Sequence, residues 1–344
     1  MRRLVAIAPP GRQVHGSSLL VTGGREHVAW FSGSHEGAPD TRIHVSLAAR
    51  GESFGDPTVV TGMDGVAHWN PVLAAGPDGR IWLFLRVGER IDTWRTMVTT
   101  STDGRSWETP RDLVPGDLSG GRGPVRQAPL QWRGAWWAGG STECWDPLRW
   151  DCFVDRSRDG GRTWERIDLP LDHAACAGAG CIQPWLVEVE DRLVALTRSS
   201  GGAVFRAESP DGVRWGALQP TGLANNNSGI AVTALDDGSL VCVHNPGGHD
   251  WGPRDRLVLS VSGDGGWTWR EAAVLEDGMP LPGIAVDVRG DGVPTAAGVQ
   301  GVVTDGRGEF SYPSIARDGS RLIISYTWQR QAIVVTDMDI GALT

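Results

Sequence analysis

The sequence predicts an all-β protein, a six-bladed β-propeller built as a single domain over residues 1–344. Three observations support this prediction. A short turn motif recurs four times at nearly constant spacing, six apolar hairpins accompany it, and glycine and proline contribute 48 and 21 of the 344 residues. Turn formers at that frequency, without a collagen-like period, are typical of many short strands joined by tight turns.

The recurring turn motif places a serine two residues before an aspartate, continues with glycine and ends on tryptophan. Its copies begin 56, 52 and 53 residues apart, and a degenerate copy over 46–54 precedes them. We expect the aspartate to accept hydrogen bonds from the following backbone N–H groups, the glycine to adopt a positive φ and the tryptophan to pack under the turn. The four complete copies are residues 101–107, 157–164, 209–215 and 262–269.

A second periodic feature gives the number of blades. Six segments each pass from a turn into a short apolar strand, and helical periodicity is almost absent, which favours radially arranged antiparallel sheets. Burial of one tryptophan per blade accounts for much of the total of 17. The stretch 278–308 exceeds the repeat length, so we expect an inserted loop there. The six segments begin at residues 24, 78, 133, 191, 237 and 318.

The charge and hydropathy of the chain exclude several function classes. All 32 basic residues are arginine, which excludes Schiff-base chemistry on lysine and a lysine-dependent phosphate loop. The net charge of -9 argues against nucleic acid as a partner, because phosphate binding needs a basic face. The apolar run over residues 4–8 is too short for a secretory signal, and no stretch approaches a membrane span. We therefore expect a cytoplasmic protein with no membrane partner.

The cysteines give no sign of a disulfide framework or a metal site. Their number is five, at positions 144, 152, 176, 181 and 242, which is consistent with a reducing compartment. His173, Cys176 and Cys181 lie close in sequence, but their spacing matches no standard zinc pattern and a fourth ligand is not evident. We therefore predict neither a metal nor a cofactor.

A family resemblance rests on the four turns and on residues 30–37, 69–73, 141–143, 182–184, 227–230, 312–315 and 326–328. The turns resemble Asp-boxes, and the segments together resemble the sialidase (neuraminidase) superfamily, especially its bacterial BNR-repeat members. The resemblance extends over nearly the whole chain. It implies a six-bladed propeller whose central channel binds a small-molecule or carbohydrate ligand.

The same resemblance implies a set of site residues. Sialidases use a tyrosine nucleophile helped by a glutamate, an aspartate acid/base, and three arginines that bind the substrate carboxylate. The tyrosine corresponds to Tyr312 and the acid/base to Asp40. Two of the arginines correspond to Arg198 and Arg254, with Arg256 a close rival of Arg254.

Two positions depart from the family pattern. Gln183 stands where the glutamate is expected, and a neutral amide does not accept the phenol proton. His15 stands where the first arginine is expected, and histidine carries a full charge only below its pKa. Both changes favour a related sugar acid, or a different reaction, over orthodox hydrolysis of sialic acid.

Other polar and aromatic residues are candidates for the same channel. Glu143 is the best remaining carboxylate, and with Asp40 it would form the pair that glycoside hydrolysis usually needs. Structural alternatives stay open: a solvated loop position for Glu143, a turn for Asp40, and surface or inter-blade ion pairs for the arginines. Residues that either bind the ligand or serve packing and strand ends are Trp69, Asn70, Trp145, Trp185, Asn227, Asn245 and Trp328.

We therefore expect a sialidase-like carbohydrate-active enzyme, a hydrolase or transglycosylase that acts on an acidic sugar or glycoconjugate. Two alternatives stay open. The first is a non-hydrolytic biosynthetic tailoring enzyme, a lyase or cyclase, which the missing glutamate and the expected cytoplasmic location motivate. The second is a propeller that binds sugar without catalysis, because two of the implied catalytic positions are altered.

Overall fold

The computed structural model describes residues 2–9, 11–278, 293–294, 301–302 and 309–343. The predicted inserted loop over 278–308 lies outside the described residues, apart from Gly278 and two short strands. Of the helices in the described ranges, none has the length and apolar character needed to span a membrane. The strands are β1 (Arg2–Ile7), β2 (Gln13–Thr22), β3 (Arg25–Gly33), β4 (Arg42–Ala49), β5 (Thr58–Val60), β6 (His68–Ala75), β7 (Ile81–Val87), β8 (Arg95–Ser101), β9 (Arg111–Asp112), β10 (Leu130–Trp132), β11 (Ala135–Trp145), β12 (Leu148–Ser157), β13 (Glu165–Asp168), β14 (Cys181–Val189), β15 (Arg192–Ser199), β16 (Ala203–Ser209), β17 (Gln219–Ala224), β18 (Ala231–Ala234), β19 (Leu240–His244), β20 (Arg256–Ser262), β21 (Arg270–Asp277), β22 (Val293–Pro294), β23 (Gly301–Val302), β24 (Phe310–Asp318), β25 (Arg321–Trp328) and β26 (Ala332–Asp339), and the 3-10 helices are Ile91–Thr93 and Ile340–Leu343.

Six four-stranded antiparallel sheets form the blades of a β-propeller. Blades I to V contain β2–β5, β6–β9, β10–β13, β14–β17 and β18–β21 in sequential order. Blade VI contains β24, β25 and β26, and its fourth strand is β1, which pairs with β26. Strands from both ends of the chain therefore close the ring. The first strands of neighbouring blades contact each other around the axis, for example β2 with β6 and β24. The prediction of an all-β, six-bladed propeller is confirmed.

The repeated turns share one hydrogen-bond pattern. In blade II, Asp103 Oδ1 accepts hydrogen bonds from the backbone N–H groups of Ser106 at 2.7 Å and Arg105 at 2.8 Å. These bonds lower the pKa of Asp103 to about 2, because they stabilise its carboxylate. Equivalent backbone bonds reach Asp159, Asp211 and Asp264, and in each of those three turns the tryptophan Nε1 donates to a glycine carbonyl.

The glycine of a turn also packs against the preceding blade. A Cβ atom on Gly212 of blade IV would lie 2.3 Å from the ring of Trp137 in blade III. In the same way, a Cβ atom on Gly161 of blade III would lie 3.0 Å from the ring of Trp82 in blade II. Tryptophan rings therefore fill the space between blade edges, which explains part of the tryptophan excess.

Replacing Gly212 with alanine is expected to lower the free energy of unfolding by about 3 kcal/mol or more. The residue has a φ of 75°, and the added methyl group would collide with Trp137. Gly238→Ala is the matched control, since Gly238 has a φ of 83° but no described atom lies within 4 Å of a Cβ there. Backbone strain alone would cost about 1–2 kcal/mol. Urea denaturation measures the free energy of unfolding of both variants. Equal losses of that free energy would contradict the packing of Gly212 against Trp137.

Candidate active site

Bulges in three innermost strands direct side chains into the central channel. Asn70, Gln183 and Tyr312 adopt left-handed φ angles of 35°, 57° and 52°, and a proline follows each of them. The pairing with the neighbouring strand shifts register at all three positions. Left-handed backbone is costly for a non-glycine residue and is concentrated at functional sites. The bulges therefore mark equivalent positions in blades II, IV and VI.

The three bulges meet in one pocket at the propeller axis. Its charged lining residues come from five blades, two of them from strands and three from connections between strands. The free space inside is about 30 Å³. The described lining residues are Glu36, Trp69, Asn70, Ile91, Trp94, Glu143, Trp145, Gln183, Arg198, Trp251, Arg254, Tyr312 and Arg330.

Tyr312 lies at the centre of the charged side of this pocket. Its hydroxyl oxygen accepts a hydrogen bond from Arg198 Nη1 at 2.9 Å, and Arg198 Nε donates to Asn227 Oδ1 at 2.7 Å. The Arg254 Cζ atom lies 5.7 Å from the centroid of the Tyr312 ring. The structure thus brings together Tyr312, Arg198 and Arg254, three residues that the family resemblance assigned to the site.

Arg256 does not compete with Arg254 for this position. Its guanidinium forms a 2.7 Å ion pair with Glu271 on the outer strands of blade V, where both side chains are partly exposed. Arg254, in contrast, is buried, and its Nη2 donates to the Asn227 carbonyl at 3.1 Å. The structural alternative of a surface ion pair therefore describes Arg256. Arg254 lines the pocket and also fits the alternative of an inter-blade ion pair, because its Nη1 lies 3.3 Å from Glu309 Oε1, next to blade VI.

Two further arginines, which the sequence did not predict, lie on the same side of the pocket as Arg198 and Arg254. Arg330, in the turn after β25, donates to Glu309 Oε2 at 2.8 Å and also pairs with Glu36. Arg126 packs against Tyr312, with its Cζ atom 4.9 Å from the ring centroid. Burial lowers the pKa of Arg126 to about 10, so it stays charged at neutral pH. Its Nε and Nη1 atoms have no hydrogen-bond partner among the described residues.

Glu143 lies on the inner side of the long hairpin that β11 and β12 form. The residue is buried, which does not fit the alternative of a solvated loop carboxylate. Burial raises the pKa of Glu143 to about 7, against the opposing effect of Arg198 and Arg86. A carboxyl group with that pKa retains a proton near neutral pH and can donate it as a general acid.

Asp40 does not reach the pocket, which corrects its assignment as the acid/base. Its carboxylate accepts a hydrogen bond from the Ser34 backbone N–H at 3.1 Å and pairs with Arg12 at 3.0 Å. The Asp40 side chain is 44% exposed, as a turn-forming aspartate is expected to be. In the same connection, Glu36 turns inward instead and pairs with Arg330.

His15 contacts the nucleophile candidate but does not replace the missing arginine. Its ring centroid lies 4.3 Å from that of Tyr312. Complete burial, with a further contribution from nearby arginines including Arg330, holds the pKa of His15 well below its usual range. The ring is therefore neutral and adds no charge to a carboxylate clamp, so the third arginine of the pocket is Arg330.

The residues predicted to bind the ligand divide into two groups. Trp69 and Asn70 line the pocket. Asn227 and Trp328 do not, which corrects their assignment. Asn227 is fully buried behind Arg198 and donates from Nδ2 to Asp250 at 2.7 Å, so it positions the arginine. Trp328 packs in the core of blade VI, with its ring 6.1 Å from that of Phe310.

Gln183 lies beside Tyr312 and does not hydrogen-bond its hydroxyl. A Cβ atom on Gly229 would lie 3.6 Å from Tyr312 Cγ and 3.7 Å from Gln183 Oε1, which places both side chains near Gly229. Gln183 Oε1 is buried and has no hydrogen-bond partner among the described residues. In the described part of the chain, the hydrogen bond to the phenol oxygen comes from Arg198.

Glu143→Gln is expected to change the pH dependence of stability. Because the pKa of Glu143 is raised from 4.5 to about 7, its stabilising effect is complete below pH 4.5 and is lost as the pH rises through about 7. The variant should therefore gain stability relative to the natural protein between pH 5 and pH 8, by on the order of 2–3 kcal/mol. Urea denaturation at both pH values measures the difference. A difference that does not grow with pH would contradict the raised pKa.

The fold and this pocket together define a class of protein, the sialidase-like β-propellers. A family model described as a BNR repeat-like domain matches residues 24–324. The chain belongs to that family. No curated protein sequence matches the chain.

Solved structures with the same fold include several sialidases. Hadza microbial sialidase Hz136 is 16% identical with a TM-score of 0.73, and the match covers 96% of this chain and 66% of that one. The NanB sialidase of Streptococcus pneumoniae is 10% identical with a TM-score of 0.68, at 99% and 71% coverage. Trypanosoma rangeli sialidase in complex with sialic acid is 13% identical with a TM-score of 0.63, at 96% and 55% coverage. The match therefore covers between 55% and 71% of these sialidase chains, and the likeness shows the fold.

Proposed function

We propose that this protein is a glycosidase that acts on an acidic sugar or its glycoconjugate in the central pocket. The observation that carries the proposal is the 2.9 Å hydrogen bond from Arg198 to the Tyr312 hydroxyl, in a pocket that Arg254 and Arg330 also line. The structure of the Trypanosoma rangeli sialidase with sialic acid supports a sugar acid as the ligand class.

The charge of the pocket suits a carboxylate. Arg198, Arg254 and Arg330 line the pocket, and Arg126 packs against the Tyr312 ring. Two carboxylates oppose these charges: Glu36 pairs with Arg330, and Glu309 pairs with both Arg330 and Arg254. Glu143 adds little negative charge when it is protonated near neutral pH. Arginine binds a carboxylate through two parallel N–H groups, which gives both affinity and orientation. We infer that the acidic group of the ligand lies between Arg198, Arg254 and Arg330.

In the proposed reaction, Tyr312 Oη attacks the anomeric carbon while the bond from that carbon to the leaving-group oxygen breaks. Glu143 transfers its proton to that oxygen. Arg198 donates a hydrogen bond to the phenol oxygen and stabilises negative charge there as the phenol proton leaves. Water then cleaves the glycosyl–tyrosine bond and gives one proton to the Glu143 carboxylate, and the released Tyr312 phenolate takes back from water the proton that it lost in the first step.

The phenol proton passes to water in this proposal, because Gln183 cannot accept it. A nucleophile without an adjacent base is weak, so the proposal favours substrates with good leaving groups. This feature separates the proposed activity from that of an enzyme with a tyrosine–glutamate pair.

Gln183→Glu is expected to raise the kcat for hydrolysis of an acidic aryl glycoside about tenfold, because a carboxylate near Tyr312 accepts the phenol proton. Gln183→Met is the matched control, since it keeps the size of the side chain but offers no proton acceptor. Steady-state assays of both variants measure the effect. Loss of activity in both variants would mean that the Gln183 amide binds the natural ligand. That result would contradict the claim that a carboxylate at position 183 supplies the base that Tyr312 lacks.

A lyase or cyclase is the second candidate function. The observation that favours it is the unpaired Gln183 Oε1 beside a tyrosine whose proton has no carboxylate acceptor among the described residues. In such an enzyme, Tyr312 would transfer a proton and form no covalent bond to the substrate.

Product analysis distinguishes the two candidates. Aryl glycosides of sialic acid and of a uronic acid are incubated with the protein, and the products are identified by NMR. Glycosidase activity is expected to give the free sugar acid. When the reaction is run in deuterium oxide, the ring carbons of that product should carry no deuterium. An unsaturated or cyclised product would favour the second candidate. Binding of the sugar acids with no product at all would contradict both and favour a non-catalytic propeller.

A further inference from the structure

One wall of the pocket is aromatic, and the proposed reaction does not use it. It consists of two groups, Trp69 with Trp94 and Ile91, and Trp145 with Trp251, which both pack against Trp150. Trp69 and Trp94 are in contact at a centroid distance of 5.1 Å. Trp94 follows the 3-10 helix Ile91–Thr93 of blade II, whereas Trp145 ends β11 of blade III and Trp251 lies in the connection between β19 and β20. Four tryptophans from three blades thus meet at the site.

The wall adjoins the cationic side of the pocket. The Arg198 Cζ atom lies 5.6 Å from the centroid of the Trp251 ring, and the same guanidinium hydrogen-bonds Tyr312. A ligand held by the arginines therefore extends directly onto indole faces. Trp145 and Trp251 are only half-buried, so they are the members of the wall that solvent reaches without a ligand.

The hydrogen-bonding capacity of the wall decides which chemical group fits it. Tryptophan and isoleucine side chains contain no acceptor. Trp69 Nε1 already donates to the Gly88 carbonyl at 2.9 Å, while Nε1 of Trp94 and of Trp145 is buried and has no partner among the described residues. A hydroxyl-rich sugar residue would lose water there and leave its own donors unpaired. At Trp94 and Trp145 the wall therefore offers a ligand ring faces and no accessible polar atom, and a planar apolar group would cover these faces without losing hydrogen bonds to water.

We propose that the natural ligand is an acidic sugar linked to an aromatic or fused-ring group, whose planar part packs against Trp94 and Trp145. This inference rests on the proposed function of the pocket, because it takes the acidic group to lie on the arginines. It goes further by specifying the aglycone as a planar apolar group and excluding a second sugar.

The test compares the phenyl and methyl thioglycosides of sialic acid and of glucuronic acid, together with 2-naphthoate as an aromatic acid without a sugar. Thioglycosides resist hydrolysis, so titration calorimetry measures binding alone. For the sugar acid that binds, we expect the phenyl compound to bind at least about tenfold more tightly than the methyl compound. Equal affinities, or no binding of any of the five compounds, would overturn the proposal.

Variants of the wall locate the aromatic contact. Trp145→Ala and Trp94→Phe are expected to remove most of the phenyl advantage while changing the affinity of the methyl compound less than about twofold. Trp94→Phe is chosen because Trp94 is buried and phenylalanine preserves part of its packing. Trp267→Ala is the control, because Trp267 is 41% exposed on the turn of blade V and packs against Arg206. A phenyl advantage that survives both wall variants would overturn the proposal.

The outcome is distinguishable from failure of the proposed function. Tight binding of the phenyl compound without turnover of the corresponding oxygen-linked glycoside would support the aromatic site and contradict the glycosidase. Turnover of an acidic aryl glycoside, together with equal affinity for the methyl and phenyl thioglycosides, would support the glycosidase and overturn the aromatic site.

Discussion

Tyr312→Phe is expected to lower kcat on an acidic aryl glycoside by at least about 1,000-fold, because the substitution removes the oxygen that attacks the anomeric carbon. The phenylalanine ring keeps the contacts with His15 and Arg126. Arg198 loses the acceptor of its 2.9 Å hydrogen bond, and a buried unpaired donor costs about 1–3 kcal/mol. The variant should therefore melt a few degrees lower and still be folded in the assay.

Tyr326→Phe is the matched control for this substitution. The sequence contains two tyrosines, and the hydroxyl of the other, Tyr326, donates to buried Glu276 outside the pocket. Its loss should cost similar stability and leave kcat within about twofold. Parallel measurements of kcat and Tm on the two variants separate chemistry from packing. A Tyr312→Phe protein that retains more than about a tenth of the natural kcat would contradict a nucleophilic role.

Arg198→Lys is expected to have the second largest effect, with KM rising about 10- to 100-fold and kcat falling about tenfold. Lysine retains the charge but cannot hydrogen-bond Tyr312 and Asn227 at the same time through a planar fork. The ligand carboxylate then loses a bidentate partner, and the phenol oxygen loses its donor. Steady-state kinetics on the same aryl glycoside measure both parameters.

Arg256→Lys is the control for the change from guanidinium to ammonium. Arg256 lies two residues from Arg254 but pairs with Glu271 at the surface, so its substitution should leave KM and kcat within about twofold. If the two lysine variants had the same kinetics, the assignment of Arg198 to the carboxylate would be wrong.

The fold could be predicted from the sequence because its signal is repeated. Each Ser-x-Asp turn is a local structure that its own residues determine, as the bonds to Asp103 show, and four copies at constant spacing specify the blade. The closing of blade VI by β1 carries no such local signal. It depends on the pairing of Arg2 with Thr336, two residues at opposite ends of the chain.

The site could be predicted only where a strand position determines the direction of a side chain. The family resemblance assigned Gln183 and Tyr312 to the channel, and both occupy equivalent bulges before proline that fix their direction. Glu36 and Asp40 lie in one connection, and which carboxylate turns inward depends on Arg330 and Arg12, from distant parts of the chain. That choice could not be predicted from the sequence alone.

The other pocket residues that the sequence did not predict were hidden for similar reasons. Arg330 lies two residues after a segment that the sequence analysis singled out, at a left-handed turn position with a φ of 53°. Arg126 follows a glycine–proline segment with no strand pattern, although its buried side chain reaches Tyr312. The available signal was the arginine-containing turn directly after residues 326–328. His15 aligned with an arginine position, but its complete burial among cations keeps it neutral.

The dependence of turnover on the substrate carboxylate tests the central claim most directly. The 4-nitrophenyl glycosides of glucuronic acid and of glucose differ only at that carboxylate, and 4-nitrophenyl sialoside and its carboxamide form a second such pair. We predict turnover of at least one acidic glycoside, with kcat/KM at least about 100-fold above that of its neutral partner, because Arg198, Arg254 and Arg330 bind the carboxylate. Turnover of neither acid, or equal turnover within both pairs, would contradict an active site for acidic sugars.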